Sequence, residues 1–275
     1  MTEAADMCPD APTDAVAAWR EVRVHDVLGL ARADSVADEV PVALVINGIS
    51  HTVMLCSPGD LEDFARGFAF TEGLVDAPSD VYGIEVLPVV QGIELRVQVS
   101  AEIEWRLRER RRTLAGRTGC GLCGTDSLDQ VRRPLQRLAG VPVSTAAVLN
   151  GHRTMPAWQP LQQRTGATHA AAWCDHSDGT VRLVREDVGR HNALDKLIGA
   201  LLRQGTDGSQ GFVCITSRAS FEMVQKCAAA GIATLAAVSA PTALAIDAAR
   251  DSGVLLMGFV RGDSLVTYTY PERLT

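Results

Sequence analysis

The sequence predicts an α/β fold: a mixed sheet with helices on its faces, preceded by a smaller N-terminal α+β subdomain. Three observations carry that expectation. In the second half, short apolar runs alternate with segments of helical periodicity, the rhythm of strands joined through crossover helices. In the first half, runs of alternating apolar residues flank Asn47-Gly48 and Gln91-Gly92, which marks antiparallel strand pairs. A 275-residue chain with 47% hydrophobic residues can also bury a substantial core.

Residues 1–20 are polar, alanine-rich and acidic, with Pro9 and Pro12, and read as a loose lead-in. Glu3, Asp6, Asp10 and Asp14 stand where an export signal would need a basic region and an apolar core, so none is expected. Residues 21–140 are expected to form the N-terminal subdomain. Within it, residues 40–46 and 49–56 read as strands joined by Asn47-Gly48, whose glycine tolerates positive φ. Pro58-Gly59-Asp60 offers a turn and helix cap ahead of Leu61, Phe64, Ala65, Phe68 and Ala69 at helical spacing, with Gly73 ending the helix. Residues 84–89 and 93–99 form a second strand pair. Gly140 and the stretch 142–160, with scattered Gly, Pro, Asn and Ser, read as an irregular connection to a C-terminal subdomain over 141–275.

That second unit is expected to run strand (181–184), helix (193–202), strand (212–215), helix (221–230), strand (232–238), a helix opened by Ser239-Ala240-Pro241-Thr242 and ending near Gly253, then strands at 254–259 and 265–270. No internal repeat is visible.

Composition excludes several classes. A net charge of −7 argues against general nucleic-acid binding, although a local basic patch could still hold phosphates. Seven irregularly spaced cysteines do not make a secreted disulfide framework, and a reducing cytoplasmic setting fits better. The most apolar stretch, residues 227–249, contains Gly231, Ser239, Pro241 and Asp247 and does not read as a membrane span.

Chemistry concentrates in Thr118-Gly119-Cys120-Gly121-Leu122-Cys123-Gly124-Thr125, where glycines leave both sulfurs on bendable backbone. Arg106, Arg108, Arg110, Arg111, Arg112 and Arg117 precede it and could depress a thiol pKa. Glu102, Glu104 and Glu109 allow the plainer reading of a solvated helix face. Four roles for the pair compete. A zinc half-site would need partners, and only Cys174-Asp175-His176 resembles one. A thioredoxin-like redox pair should follow an apolar strand rather than an arginine-rich segment. A sulfur carrier would hold a persulfide on one thiol, assisted by the other. Free cysteine is also commonly a small buried hydrophobe, against which the flanking glycines argue.

Ligands of alternating α/β sheets bind beyond the carboxyl ends of strands, where helix N-termini present free N–H groups. Three loops occupy such positions: residues 186–192, 216–220 and 239–242. Arg190 and Arg218 could grip phosphate in forked geometry, and Asp187 could bridge to either. Asn192, Ser220 and Thr242 could equally be helix caps, whereas His191, in a loop between Arg190 and Asn192, follows no apolar periodicity. His169 lies in a small-residue segment and is a second-tier proton-transfer candidate or a structural histidine. In Gly258-Phe259-Val260-Arg261-Gly262-Asp263 a planar base could stack on Phe259 while Arg261 meets phosphate; a glycine turn with a buried Phe is the plainer reading. Neither a Walker-type nor a Gly-x-Gly-x-x-Gly phosphate loop is present.

With these segments in view, the chain resembles the FdhD family of sulfur carriers needed for active formate dehydrogenase. The likeness runs from about Val40 to the C-terminus. It is carried by Cys120-Gly121-Leu122-Cys123-Gly124, by REDVGRHNALD from Arg185 to Asp195, by SRASFEMVQK from Ser217 to Lys226, and by AVSAPT from Ala237 to Thr242; Thr71-Glu72-Gly73 and Thr168-His169-Ala170-Ala171 also fit. The resemblance implies a cytidine deaminase-like fold, a homodimer, and a sulfurtransferase that takes persulfide sulfur from a cysteine desulfurase. Sulfur would go to the molybdenum cofactor, a bis(molybdopterin guanine dinucleotide) bound as substrate with no permanent cofactor, before its insertion into formate dehydrogenase. By position, Cys120 is the carrier and Cys123 its partner. Asp187, Gly189, Arg190, His191, Asn192, Ser217, Arg218, Ser239 and residues Gly258, Phe259, Val260, Arg261, Gly262 and Asp263 are the expected cofactor contacts, and no metal ligand, nucleic acid or membrane contact is expected. Two other readings remain: a cofactor chaperone whose cysteines are dispensable, and a zinc deaminase-like enzyme, which would need a His-x-Glu element the sequence lacks.

Overall fold

A computed structural model describes residues 17–115 and 135–275. Two sheets meet through one helix pair. The chain starts with a two-stranded antiparallel hairpin, β1 (Trp19–His25) and β2 (Ala31–Ala37). This hairpin was not expected, because its charged residues hide the alternation. Asp26 shapes its turn by accepting from the N–H groups of Leu28 and Leu30, and the Arg164 guanidinium lies 3.3 Å over the Trp19 ring.

The N-terminal unit is a four-stranded sheet in the order β4-β3-β6-β5. Strands β3 (Val40–Ile46) and β4 (Ile49–Cys56) form the anticipated hairpin, with Asn47 and Gly48 both at positive φ. Strands β5 (Val81–Val89) and β6 (Gly92–Val99) form the second, and β6 runs parallel to β3. The inward residues Val42, Leu44, Ile46, Leu95 and Val97 pack under Phe64 and Phe68 of α1 (Leu61–Thr71) and Ile103 of α2 (Ala101–Ala115). Asp60 precedes α1 in left-handed conformation and gives no side-chain cap; its carboxylate faces Arg185 at 3.4 Å instead.

The C-terminal unit is a six-stranded sheet, β12-β11-β10-β9-β7-β8, formed by β7 (His169–Asp175), β8 (Val181–Asp187), β9 (Gly211–Ile215), β10 (Thr234–Ala237), β11 (Leu255–Arg261) and β12 (Ser264–Thr267). The members β9, β10 and β11 are parallel, while β7, β8 and β12 make antiparallel pairs. The sheet is therefore mixed, as expected. Its inner strands β9 and β10 are buried on both faces. Val213, Ile215, Leu235 and Leu256 point toward α5 (Arg190–Gln204), α6 (Phe221–Ala229) and α7 (Ala243–Ser252), whereas Cys214, Ala236, Leu255 and Met257 point the other way.

The opposite face is covered by α3 (Thr145–Thr154), followed by the short α4 (Pro160–Thr165). This corrects the reading of 142–160 as irregular. Ser144 caps α3 by accepting from the Ala147 N–H, and Ala147, Val148 and Met155 seal the core beneath it. His152 of α3 turns inward and donates through Nε2 to the Ala236 carbonyl at 3.1 Å. Burial pushes its pKa down to about 4.

Helices α1 and α5 weld the two units. They cross at Gly67 and Gly199, where an added Cβ would lie 1.9 Å from the Asp195 carbonyl oxygen and 1.8 Å from that of Asp63, respectively. Asp63 receives Arg185 at 2.8 Å and Arg203 at 2.9 Å beside the crossing.

Two outcomes follow from this packing. Gly199→Ala lowers unfolding free energy by at least about 2 kcal/mol in urea melts, because backbone must move to admit the methyl group. Gly59→Ala, with open space around it and φ outside the left-handed region, changes it little. For His152, the unfolded chain takes up a proton near pH 6.5 and the folded one only near 4. Its stabilising effect is complete above pH 6.5 and is lost as pH falls through that window. His152→Gln therefore flattens the acid limb of stability between pH 7 and 4 by about 3 kcal/mol relative to the parent chain.

Candidate functional site

Strand directions bring the expected loops to one edge. Because β7 is antiparallel to both β8 and β9, its first residue, His169, lies opposite Asp187 at the end of β8, and Ala171 lies opposite Ile215 at the end of β9. The parallel strands β9, β10 and β11 end on the same side. Neighbouring loops are tied by backbone bonds: Thr216 N–H to the Ala170 carbonyl, Val238 N–H to Ile215, Thr242 N–H to Ala219, and Phe259 N–H to Ser239. A crevice at the carboxyl edge of an α/β sheet is the usual seat of a ligand.

The loop after β8 differs from its sequence reading. Helix α5 begins at Arg190, with Gly189 as N-cap, so Arg190, His191 and Asn192 form its first turn rather than a loop. Asp187 is fully buried and bridges to neither Arg190 nor Arg218. Its carboxylate takes Lys196 Nζ at 2.7 Å and the N–H groups of Ser57 at 2.9 Å and Gly189 at 2.8 Å. Asn192 is not a cap: its buried amide donates to Asp187 and to the Leu55 carbonyl at the end of β4. Both residues serve the site from behind.

Two arginines and two histidines stand at this edge, with the Glu222 carboxylate beside them. Neither Arg190 nor Arg218 has a hydrogen-bond or ion-pair partner among the described residues, and Arg190 Nε is shielded from solvent and unsatisfied. Arg190 is half-buried and Arg218 exposed, and an unpaired guanidinium is chemically suited to a phosphate or carboxylate. His191 Nε2 stands 3.8 Å from Glu222 and forms no hydrogen bond. Burial, then the Arg190 charge, lowers the pKa of His191 and equally that of His169. Both imidazoles are thus held neutral at pH 7.

Of the other expected contacts, Ser217 is buried and donates to the Arg218 carbonyl, while Ser239 is half-buried. Ser220 stands at the N-cap of α6 without a side-chain cap bond, whereas Thr242 does cap α7 through the Ala245 N–H. In the segment 258–263, a bulge between Gly258 and Arg261 puts Phe259 at φ 51° with its ring 41% exposed, so the Phe is not a core residue. Positive φ on an aromatic residue is costly, and Tyr270 shares it at φ 52°. Gly258 is required there, since a Cβ would come within 3.0 Å of the Ser239 carbonyl and Pro241. Val260 points into the core, Arg261 Nε donates to the Val238 carbonyl at 3.1 Å, and Gly262 and Asp263 are exposed at the following turn.

Sequence reasoning missed the residues that hold this edge up. Lys196 is fully buried in α5, and Lys226 of α6 binds Asp195 at 2.9 Å, Glu72 at 2.6 Å and Thr71 at 3.0 Å. Burial disfavours the Lys226 ammonium, but these carboxylates outweigh it and hold its pKa above the ordinary lysine value. A lysine among inward-facing Leu194, Leu197 and Ile198 was the available signal.

Cys120 and Cys123 lie outside the described residues, as do the side chains of Arg110, Arg111, Arg112 and Arg117. Arg106 binds Asp76 and the Leu74 carbonyl, and Arg108 pairs with Glu104 at 2.6 Å, so the described part of the basic run is a paired helix face. Cys56, Cys174, Cys214 and Cys227 are all buried. Burial pushes the Cys227 thiol up to about 12 and those of Cys56 and Cys214 well above their usual range. The Cys174-Asp175-His176 triplet does not converge: Cys174 faces Cys214, Asp175 accepts from Ser177 and Arg182, and His176 lies against Phe212. No group of three metal-ligating side chains occurs among the described residues. No helix among them is long and apolar enough to cross a membrane.

Comparison with known proteins agrees with this geometry. The model of the FdhD/NarQ family matches residues 37–275. The sulfur carrier protein FdhD of Bordetella petrii is 57% identical over 94% of this chain and 93% of its own length. That of Cupriavidus necator is 53% identical over 97% of this chain and 91% of its own. A crystal structure from Desulfotalea psychrophila, solved as that of a candidate formate dehydrogenase accessory protein, superposes with a TM-score of 0.72 at 25% identity, covering 94% of this chain and 98% of that one.

The buried pair beneath the crevice gives a stability prediction. Lys196→Met leaves the Asp187 carboxylate without its cation and lowers unfolding free energy by about 3–5 kcal/mol in denaturant melts. The double variant Lys196→Met, Asp187→Asn, which removes both charges but keeps an acceptor oxygen for the Gly189 N–H and Asn192 amide, regains part of that loss.

Proposed function

Since the chain belongs to the FdhD/NarQ family, we propose that it carries sulfur for the maturation of formate dehydrogenase, as a persulfide on Cys120. The fate of the other cysteines is the observation that carries this reading. All four in the described residues are buried, and three have thiols held above their ordinary range; of the three others, Cys8, Cys120 and Cys123, only the last two stand in the glycine-flanked motif that carries the family resemblance. A thiolate is the reactive form, and arginines upstream favour it at Cys120.

Loading is sulfane transfer. The Cys120 thiolate attacks the outer sulfur of a cysteine desulfurase persulfide, the donor S–S bond breaks, and the donor cysteine leaves as thiolate. No external oxidant is needed. Cys123 is the neighbouring thiol that assists or protects the carrier.

The recipient is molybdopterin guanine dinucleotide, bound as cargo at the carboxyl edge of the large sheet. Arg190 and Arg218 bind its pyrophosphates, the first turn of α5 adds free N–H groups, and Phe259 offers a ring for stacking. Asp187, Gly189, Asn192 and Val260 shape this surface from behind, while Ser217, Ser239, Arg261, Gly262 and Asp263 line its rim. The reading implies action in the cytoplasm as a homodimer.

The test separates loading from delivery. Cys120→Ala gains no sulfur by intact mass spectrometry after incubation with a desulfurase and cysteine, and it fails to restore formate dehydrogenase activity in cells lacking their own carrier. Arg190→Ala and Arg218→Ala still load sulfur but bind the nucleotide-bearing cofactor roughly ten- to a hundredfold more weakly. A Cys120→Ala protein that restored activity would make the chain a cofactor chaperone instead.

A further inference from the structure

All but the last residue of the β1–β2 hairpin lies outside residues 37–275, the stretch that the family model matches. Two strands alone are marginal in water. This pair is held to the body by the Arg164 guanidinium over Trp19 and by α4 alongside β2. Three large apolar side chains at its tip, Val27, Leu28 and Leu30, are exposed. No other strand among the described residues pairs with the outer edge of β1.

The hairpin's own hydrogen bonds fix which backbone groups of that edge are free. At the tip the Asp26 N–H donates to the Leu30 carbonyl at 3.1 Å, and at the base the Asp38 N–H donates to the Ala18 carbonyl at 2.9 Å. Bonded pairs alternate along an antiparallel ladder. Arg20, Val22 and Val24, opposite Val36, Asp34 and Arg32, therefore turn their N–H and C=O groups inward. Trp19, Glu21, Arg23 and His25 turn theirs outward, and a strand added here must bond to these four. Glu21 and Arg23 lie across from the small residues Ser35 and Ala33 and have no ion-pair partner among the described residues.

We infer that the outer edge of β1 is a contact between two copies of this chain, whose β1 strands pair antiparallel about Val22 into a four-stranded sheet. Charge selects both the occupant and the register. Centring the pair on Glu21 or on Arg23 sets like charges directly opposite, which is destabilising. Centring it on Val22 sets Glu21 against Arg23 of the second copy and, by the twofold axis, Arg23 against its Glu21. Each such pair contributes about 0.2–1 kcal/mol. Val22 then meets Val22, and Trp19 meets His25. The same register carries each hairpin tip just beyond Trp19 of the other copy, which gives Val27 and Leu28 an aromatic neighbour. Charges on an edge strand commonly keep other strands away; here their alternation in sign admits one strand, a second β1. The inference deepens the homodimer of the reading above by giving it an interface, and it needs no sulfur chemistry.

Sedimentation equilibrium of the full chain tests it. Glu21→Arg and Arg23→Glu, each placing like charges across the axis, weaken self-association at least about tenfold. An equimolar mixture of the two single variants regains the parent's affinity, because each supplies the charge the other lacks. The double variant Glu21→Arg, Arg23→Glu regains it as well, with the signs exchanged. Glu21→Pro removes one outward N–H without touching a bond inside the hairpin, and it also weakens association. The assignment is overturned by a monomeric parent, by single variants that associate as the parent does, or by a mixture that stays as weak as its components. Cys120→Ala associates like the parent whatever its effect on formate dehydrogenase, so failure of the sulfur-carrier reading and failure of this one are told apart.

Discussion

The Lys196–Asp187 ion pair is the constraint on which the rest of the functional edge depends. Asp187 ends β8, Lys196 rises from α5, and Ser57, at the foot of β4, supplies an N–H to the carboxylate and a carbonyl to the ammonium. Three elements from both units meet at this point. With Gly189 and Asn192 also bound to Asp187, the first turn of α5 has little freedom, and Arg190 and His191 are placed by backbone rather than by their own contacts. Such a pair contributes little net stability compared with well-packed hydrophobes. What it supplies here is placement.

The glycine crossing of α1 and α5 makes that placement possible. Gly67 and Gly199 let the two helix backbones touch, which holds α5 and β8 against the end of β4, where Ser57 reaches both Asp187 and Lys196. Asp195, on the same turn region of α5, then meets Lys226 and Thr71, while Asp63 of α1 gathers Arg185 and Arg203. The two sheets so joined act as one support for the crevice, and a boundary near residue 140 describes sequence order more than mechanical independence.

Local features of the sequence were legible where the physics is local. Asn47-Gly48 dictates its hairpin, short apolar runs between helical segments find β9 to β11, and the carboxyl-edge rule brings the loops around Arg190, Arg218 and Ser239 to one side of the sheet. What escaped was tertiary. Asp187 could pair with any nearby cation, and the choice of Lys196 over Arg190 or Arg218 is made by the α1–α5 packing. The α3 segment contains Asn150-Gly151-His152, poor helix formers whose helix is stabilised by the sheet face it covers, where Gly151 allows close approach to Cys174 and Cys214. In the β1–β2 hairpin, tertiary contact with Arg164 and the Asp26 turn replace the missing apolar pattern. The cysteine pair was read from sequence alone, through its glycines and its neighbours in the chain.

Charge distribution bears on the anionic cargo proposed for an acidic protein. With a net charge of −7, the chain would repel a dinucleotide if its cations were evenly spread. They are not spread evenly in their effect. Arg185, Arg203, Lys196 and Lys226 are consumed by Asp63, Asp187, Asp195 and Glu72 within the weld, and Arg106 and Arg108 are paired on α2. Arg190 and Arg218 form no ion pair among the described residues at the strand ends, although the Glu222 carboxylate feels the Arg190 charge, and they stand next to imidazoles that burial keeps neutral. Neutral histidines avoid adding a pH-dependent charge to the crevice, so its attraction for phosphate rests on guanidinium groups that do not titrate.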